Sequence, residues 1–341
     1  MEKYRNKEKK KVLGLIDSGW FNGDPGNGYF GGRKYPFVLK CSDNNFYNTI
    51  LKSAKDYFNK NNIAWWKGKE PTGHALSSQI ACVNHLFPLR NDKEAVLSLL
   101  SSFSSDFIDV LTITTDQYAP AYISFEQVSD TDLLNEGEPT RGSNCTSIDA
   151  CIHALHENGS RWLIPIEWKY TETYEIENKG IGPSGEIRHE RYDELIQKSS
   201  QLKYCAQELA MGGPQGYGAY PIAGTGTSHY YFEPFYQLMR QTLWAEQMVK
   251  NRESETIHAE NYSHIHIIPS KNIDMLEKIY TSYKWDGQYT SEYKMNMEKT
   301  WRSFLVNQDK YKIISPEVFL ANIGNKYDDL KQYLAKRYWN D

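Results

Sequence analysis

No apolar run in this chain approaches the length that crosses a membrane, and its first residues, Met1-Glu2-Lys3-Tyr4-Arg5, lack the apolar core of a secretory leader. No membrane association is therefore expected, and the cytoplasm is the expected compartment. Paired cysteines are missing too. Cys41, Cys82, Cys145, Cys151 and Cys205 are odd in number and scattered, and they form no Cys-x-x-Cys, so they read as reduced thiols and not as a zinc site. Basic charge is not in excess: 39 Lys and Arg against 43 Asp and Glu leave a net charge of −4. That balance argues against a general coat for nucleic acid, though a local basic cleft remains compatible with it. The one dense basic stretch, Lys9-Lys10-Lys11, reads as a solvated helix end or tail. No Gly-x-Ser-x-Gly elbow supports covalent hydrolysis. The glycine-rich stretch 20–32 lacks the Gly-Lys-Ser/Thr ending of a phosphate-cradling loop; it reads as a surface turn that could also serve as a flap over substrate.

What is present is an ordinary globular composition. The 341 residues are 40% hydrophobic and 24% charged. With 25 Tyr and 9 Trp the chain could stack on bases or sugars, but core filling accounts for most aromatics in any protein.

Periodicity outlines the elements. A helix is predicted from Ser42, with Phe46, Ile50, Ala54 and Phe58 on one side; a second runs from about His74 to Phe87; a third follows Asp92, with Asn91 and Glu94 as a capping box. Residues 121–126 alternate as a strand, and 130–144 read as a loop. Residues 172–188 look like an exposed loop or short hairpin, and a helix is expected from about Arg191 to Met211, closed by Gly212-Gly213-Pro214. A glycine-rich loop at 216–226, a helix at 233–250 and a strand at 263–269 come next, followed by helices near 271–284, 293–306 and 316–338.

The most informative residues are Asp149, on the run 146–154, and Glu167-Trp168-Lys169, ending the run 161–170; His156-Glu157-Asn158-Gly159-Ser160 turns between them. In a strand Glu167 and Lys169 share a face and Trp168 points the other way. The register of the hairpin decides whether Asp149 joins them. A two-residue turn at Asn158-Gly159 puts Asp149 opposite Trp168. A three-residue loop with left-handed Gly159 puts it opposite Glu167. Both loops are common. In the second register two carboxylates form a hard anionic cage suited to Mg²⁺, or Mn²⁺, and Lys169 would orient an attacking water. That set predicts metal-dependent hydrolysis of a phosphodiester. The bland alternative is an acid–base pair on a solvated sheet face, but carboxylates embedded in apolar runs are costly unless paired or coordinated. Pro165 is expected to bend the second strand or expose its edge.

Other residues carry weaker signals. Glu126 could add a third carboxylate to the metal if its face matches. Gln79 sits on a helix of the core but cannot act as an acid. Lys198 and Lys203 lie off the buried stripe of their helix and could meet a nucleic-acid phosphate, although two solvated lysines are the commoner explanation. His264 and His266 share a strand face without a third ligand and read as edge histidines.

At Asp149 and Glu167-Trp168-Lys169 the chain resembles the PD-(D/E)XK phosphodiesterase superfamily, with Ile148 standing where proline usually precedes the aspartate. More specifically, His74-Ala75-Leu76-Ser77-Ser78-Gln79, Asn84-His85-Leu86-Phe87-Pro88-Leu89, Phe125-Glu126 and Thr146-Ser147-Ile148-Asp149 make it similar to a bacterial family of restriction-endonuclease-type sequences. The resemblance implies an α/β fold with a restriction-endonuclease-like mixed central sheet flanked by helices, with helical N- and C-terminal additions. Read along the chain, residues 1–70 look like an N-terminal elaboration, 71–270 a nuclease-like α/β core and 271–341 a C-terminal helical cap, and they are expected to form one compact domain. The resemblance adds the Trp168 carbonyl to Asp149 and Glu167 as metal ligands. The expected function is an Mg²⁺-dependent endonuclease acting on DNA (RNA is not excluded), and a homodimer would suit double-strand cutting, although no self-complementary patch can be named from the sequence. The alternative is a nucleic-acid-binding or assembly module of the same fold without turnover.

Overall fold

Gly159 settles the hairpin register. In the computed structural model its φ is 85°, a conformation that glycine adopts without a Cβ penalty. The Gly159 N–H donates to the His156 carbonyl at 2.9 Å, and the His156 N–H donates to the Ser160 carbonyl at 2.9 Å. The loop is thus Glu157-Asn158-Gly159, and the strands pair as Ala150↔Ile166, Ile152↔Ile164 and Ala154↔Trp162.

The structure describes residues 2–115, 118–142, 144–175, 177–206, 217–218, 227–285 and 289–340. Gly212-Gly213-Pro214 and most of 216–226 therefore lie outside the described residues. In chain order the strands are β1 (Gly28–Phe30), β2 (Arg33–Tyr35), β3 (Phe107–Leu111), β4 (Ile113–Thr115), β5 (Tyr118–Ala121), β6 (Ile123–Gln127) and β7 (Ile148–His156). They continue with β8 (Arg161–Trp168), β9 (Tyr217–Gly218), β10 (Asn261–Tyr262), β11 (His264–Ile267), β12 (Ile279–Trp285), β13 (Tyr289–Asn296) and β14 (Tyr311–Ile314). The longer helices are α1 (Tyr4–Asp17), α2 (Leu51–Lys60), α3 (Ser78–Leu86), α4 (Lys93–Ser101), α5 (Gly182–Lys198) and α6 (Phe235–Lys250).

A mixed seven-stranded sheet forms the centre, ordered β14-β11-β8-β7-β3, with β10 also on β8 and β6 also on β7. β7 is antiparallel to β8, whereas β11 runs parallel to both β8 and β14. Alternation along the strands divides the core in two. Ala150, Ile152, Ile164, Ile166, Ile265 and Ile267 face a cluster built with α2, α3 and α4. Cys151 and Leu163 belong to the other cluster, with Tyr192 of α5 and Leu238, Met239 and Leu243 of α6. Among the described residues no helix is long and apolar enough to cross a membrane.

Several predicted elements are corrected. The first helix begins at Leu51, preceded by two short 3-10 turns, not at Ser42. Its partner begins at Ser78, where the Ser77 hydroxyl accepts the Ile80 N–H, rather than at His74. Asp92, not Asn91, caps α4. α5 starts at Gly182, inside the stretch expected to be loop, and stops at Lys198. There Ser199 and the Ser200 N–H bond to Glu246 of α6 and draw the chain out of helical geometry. Residues 279–285 and 289–296 form a β-hairpin where helices were predicted, in keeping with a run rich in Ile, Tyr, Thr and Trp. The segment 316–338 is broken at Gly324, whose φ is 90°. Strands β3, β4 and β14 were not foreseen.

Pro165 neither bends β8 away nor exposes its edge. A parallel neighbour covers it, and that neighbour is interrupted at Ser263, between β10 and β11, close to where the proline has no N–H to give. His264 and His266 are likewise not edge residues: β14 covers their strand, and each is 1% exposed.

Candidate active site

Four strands bring one residue each into a row. Pairing of Phe125 with Ala150 and Gln127 with Ile148 sets Glu126 opposite Asp149. One step beyond Ala150↔Ile166 sets Asp149 opposite Glu167, and His266 pairs with Glu167 on the far side. Residues directly opposed in a sheet share a face, so the acids converge by backbone register alone. Lys169 follows two residues after Glu167, anchored by its own N–H to the Ile267 carbonyl at 2.8 Å. Trp168 points to the opposite face, as period two requires, and is buried with its ring centroid 4.6 Å from that of His85.

Glu126, Asp149, Glu167, Trp168 and Lys169 line a cavity of about 320 Å³. Glu167 is buried and fully engaged. Its Oε1 accepts from Lys169 Nζ at 2.5 Å and from Gln237 Nε2 at 2.7 Å, and its Oε2 accepts from Gln241 Nε2. The Lys169 ammonium also donates to Gln237 Oε1 at 2.8 Å and lies 5.3 Å from the Tyr174 ring centre. Asp149 differs. Its Oδ2 accepts the Trp168 N–H at 2.7 Å, and among the described residues its Oδ1 accepts no hydrogen bond. Glu126 holds a left-handed backbone, φ 47°, unusual inside a strand; its carboxylate accepts from Gln79 Nε2 at 2.7 Å and Ser147 Oγ at 2.9 Å.

The electrostatics follow from crowding. Burial pushes the Asp149 carboxyl well above the usual carboxylate range, and the neighbouring Glu167 and Glu126 push it the same way. Burial also raises Glu126, against the pull of its Gln79 and Ser147 hydrogen bonds. For Lys169 burial works downward, but Glu167, Tyr174, Glu172 and Asp149 outweigh it, so the ammonium stays charged. Burial drives His264 down to about 3 and His266 well below its ordinary value, with Lys169 adding to both; the pair is neutral. His266 Nδ1 meets Tyr311 Oη at 2.9 Å.

Among the described residues, no group of three or more His, Cys, Asp or Glu side chains stands ready to hold a metal ion. The donor set nonetheless fits a hard divalent cation that keeps most of its waters and needs few protein ligands. Asp149 offers an oxygen that accepts no hydrogen bond there, Glu167 and Glu126 stand beside it, and the excess of carboxylates is what such a cation relieves.

The sequence reading did not identify four contributors. Gln237 and Gln241 stand four apart on α6 with Arg240 on the same side, and that polar spacing within a largely apolar helix was the available signal. Glu172 lines the cavity, accepting from the Tyr170 N–H at 2.8 Å and from the Ser78 hydroxyl. Ser147, just before β7, belongs to the Thr146-Ser147-Ile148-Asp149 run but had no role of its own assigned from sequence; it donates to Glu126. Lys198 and Lys203 are not brought to the cavity: Lys198 pairs with Glu194 on exposed helix surface, and Lys203 lies over the Tyr204 ring at 5.3 Å.

A family model described as "Restriction Endonuclease associating with ARP" matches residues 15–339. The chain belongs to this family of restriction endonucleases. Its central mixed sheet flanked by helices is consistent with a restriction-endonuclease-like fold. No curated protein and no solved structure matches the chain.

Proposed function

We propose that this restriction-endonuclease family member is a metal-dependent nuclease that hydrolyses phosphodiester bonds in DNA. The observation that carries the reading is the row Glu126, Asp149, Glu167 across three adjacent strands, with Lys169 one step along the same face and all four on one cavity. Asp149 and Glu167 are the residues that would hold Mg²⁺ or Mn²⁺, with the Trp168 carbonyl and Glu126 as additional ligands. The bound cation would polarise the phosphoryl oxygen and make its water acidic enough to attack. Lys169 orients that water and stabilises charge on the phosphate, and its ammonium is held for this by Glu167 and Gln237. Gln237 and Gln241 keep Glu167 in place. We carry to this chain, as part of the reading, the association with ARP that the family description names.

The test is cleavage of circular and linear DNA with Mg²⁺, in chelator, and with Asp149→Asn and Lys169→Ala. Activity that is metal-dependent and lost in both variants supports the reading; cutting by either variant at the parental rate ends it. One observation favours a second reading, a DNA-binding module without turnover: both carboxylate oxygens of Glu167 already accept hydrogen bonds inside the protein. Calorimetric titration with Mn²⁺ separates the two, because only the nuclease reading requires uptake that disappears in Asp149→Asn.

A further inference from the structure

The hairpin β1–β2 and the segment 66–73 enclose a groove of about 530 Å³ beside the acidic cavity. Trp66 lines both, so the two spaces adjoin. Two aromatic faces are open here: Tyr29 is 69% exposed and Trp66 39%. Phe30 backs Trp66 at 4.6 Å between ring centres and packs on the His74 ring at 4.7 Å, which holds the platform rigid. The floor is bare backbone. A Cβ on Gly28 or on Gly73 would meet the Leu39 carbonyl oxygen at 2.3 Å, so these backbones pack directly on Leu39 and only glycine fits at either position.

Its charge is opposite in sign to that of the chain as a whole. Lys34, Lys40 and Lys67 line the groove, and among the described residues Glu70 is the only carboxylate on its wall. Glu70 lies 3.7 Å from Lys55. Lys34 Nζ sits 5.2 Å from the Tyr29 ring centre, and Lys67 Nζ sits 5.0 Å from that of Phe30 and 5.6 Å from that of Trp66. The local field is felt at His74, which burial first, then Arg5, Lys9 and Lys67, push down to about 4.

We propose that this groove seats a single-stranded segment of the DNA substrate, with unpaired bases stacked on Tyr29 and Trp66 and phosphates met by Lys34, Lys40 and Lys67. The inference rests on the nuclease reading for the identity of the polyanion and adds the strand state. Exposed rings alternating with lysines accept any base that offers a free π-face. The bases of an intact duplex cover one another's faces and cannot offer them. A strand leaving the groove past Trp66 enters the cavity of Asp149 and Lys169.

The test is fluorescence anisotropy of the full chain in chelator, with labelled oligo-dT and a duplex of equal length. Tyr29→Ala is expected to weaken oligo-dT binding by about fivefold to a hundredfold, the range for losing one stacked base, and duplex binding by less than about twofold. Tyr29 is largely exposed, so its removal spares the packing of Phe30, Trp66 and His74; Trp66→Phe, which keeps a ring, should retain most of the affinity. Lys67→Gln should lower the slope of log affinity against log salt by about 0.7 for the single strand. Oligo-dT binding that is undetectable, indifferent to Tyr29→Ala, or weakened no more than duplex binding overturns the proposal and leaves the groove to another partner. Failure here is separable from failure of the nuclease reading. A chain that binds oligo-dT through Tyr29 but cuts nothing with Mg²⁺ keeps the groove and loses the enzyme. Asp149-dependent cutting with binding indifferent to Tyr29 does the reverse.

Discussion

The two faces of the central strands are built on opposite terms. Toward α3, the side chains of Ala150, Ile152, Ile164, Ile166 and Trp168 are apolar and buried. The one histidine among them, His85, is satisfied at both ring nitrogens: Nδ1 bonds to the Ala81 carbonyl at 2.6 Å, and Nε2 accepts from Trp339 Nε1 at 3.1 Å. Toward α6 the same strands present Asp149, Glu167, His264 and His266. There both ring nitrogens of His264, His266 Nε2 and Gln241 Oε1 are buried without a hydrogen-bond partner among the described residues. Unsatisfied buried polar groups cost stability, and natural proteins concentrate such costs at sites of chemistry. One face stabilises the sheet and the other uses it.

That contrast can be broken or sharpened experimentally. The largest effect is expected at Asp149→Asn and Lys169→Ala. Cleavage should fall by about 10³-fold or more while the far-UV spectrum and cooperative melting persist; loss of folding instead would make these residues structural. Next comes Ile164→Ala on the apolar face, expected to cost about 2–5 kcal/mol in chemical denaturation. Its cleavage per folded molecule should stay within about tenfold of the parent, and a larger loss would mean that the faces are not separable. Gln237→Ala should reduce cleavage by about 10- to 100-fold, the size typical of groups that orient a metal ligand or its partner, without shifting the denaturation midpoint greatly. Full activity in this variant would remove Gln237 from the site.

A smaller effect concerns acid. His85 is held at about 3 by burial, so in the folded protein it stays neutral while the unfolded chain takes up a proton below about pH 6.5. The unfolded state then binds more protons, and the stability that is complete above that pH declines as the pH falls toward 3. Each such histidine contributes about 1.4 kcal/mol per pH unit in that window. In pH-dependent denaturation between 6 and 4, His85→Gln should show a slope shallower by about one proton; an unchanged slope would contradict the neutral histidine. Smallest is Gly159→Ala, expected to cost about 1 kcal/mol because alanine resists the left-handed turn that sets the register. A neutral result would show that the strands, not the turn, hold Asp149 opposite Glu167.

The legibility of this molecule follows the range of the interactions concerned. Asp149, Glu167 and Lys169 could be picked out because the hairpin is local, and period two plus one loop length relates all three. The three-residue loop could be named but not chosen from sequence, since its competitor differs by a single residue. Glu126 was visible only as an acid on a strand; its place beside Asp149 depends on a pairing that skips the 130–147 loop. The hairpin at 279–296 was misread because aromatic and β-branched runs suit either state until a partner strand is present.

By itself, the sequence determined the alternation that separates apolar from charged positions on β7 and β8, and the glycine able to turn between them. Those properties reside in single residues and their immediate neighbours. Only the tertiary structure decided that Gln237 and Gln241 close over Glu167, that β14 buries the histidine strand, and that Trp66 joins the aromatic groove to the acids. The physical reason is that such contacts join residues tens to hundreds of positions apart, and no periodicity along the chain encodes which distant surface will meet which.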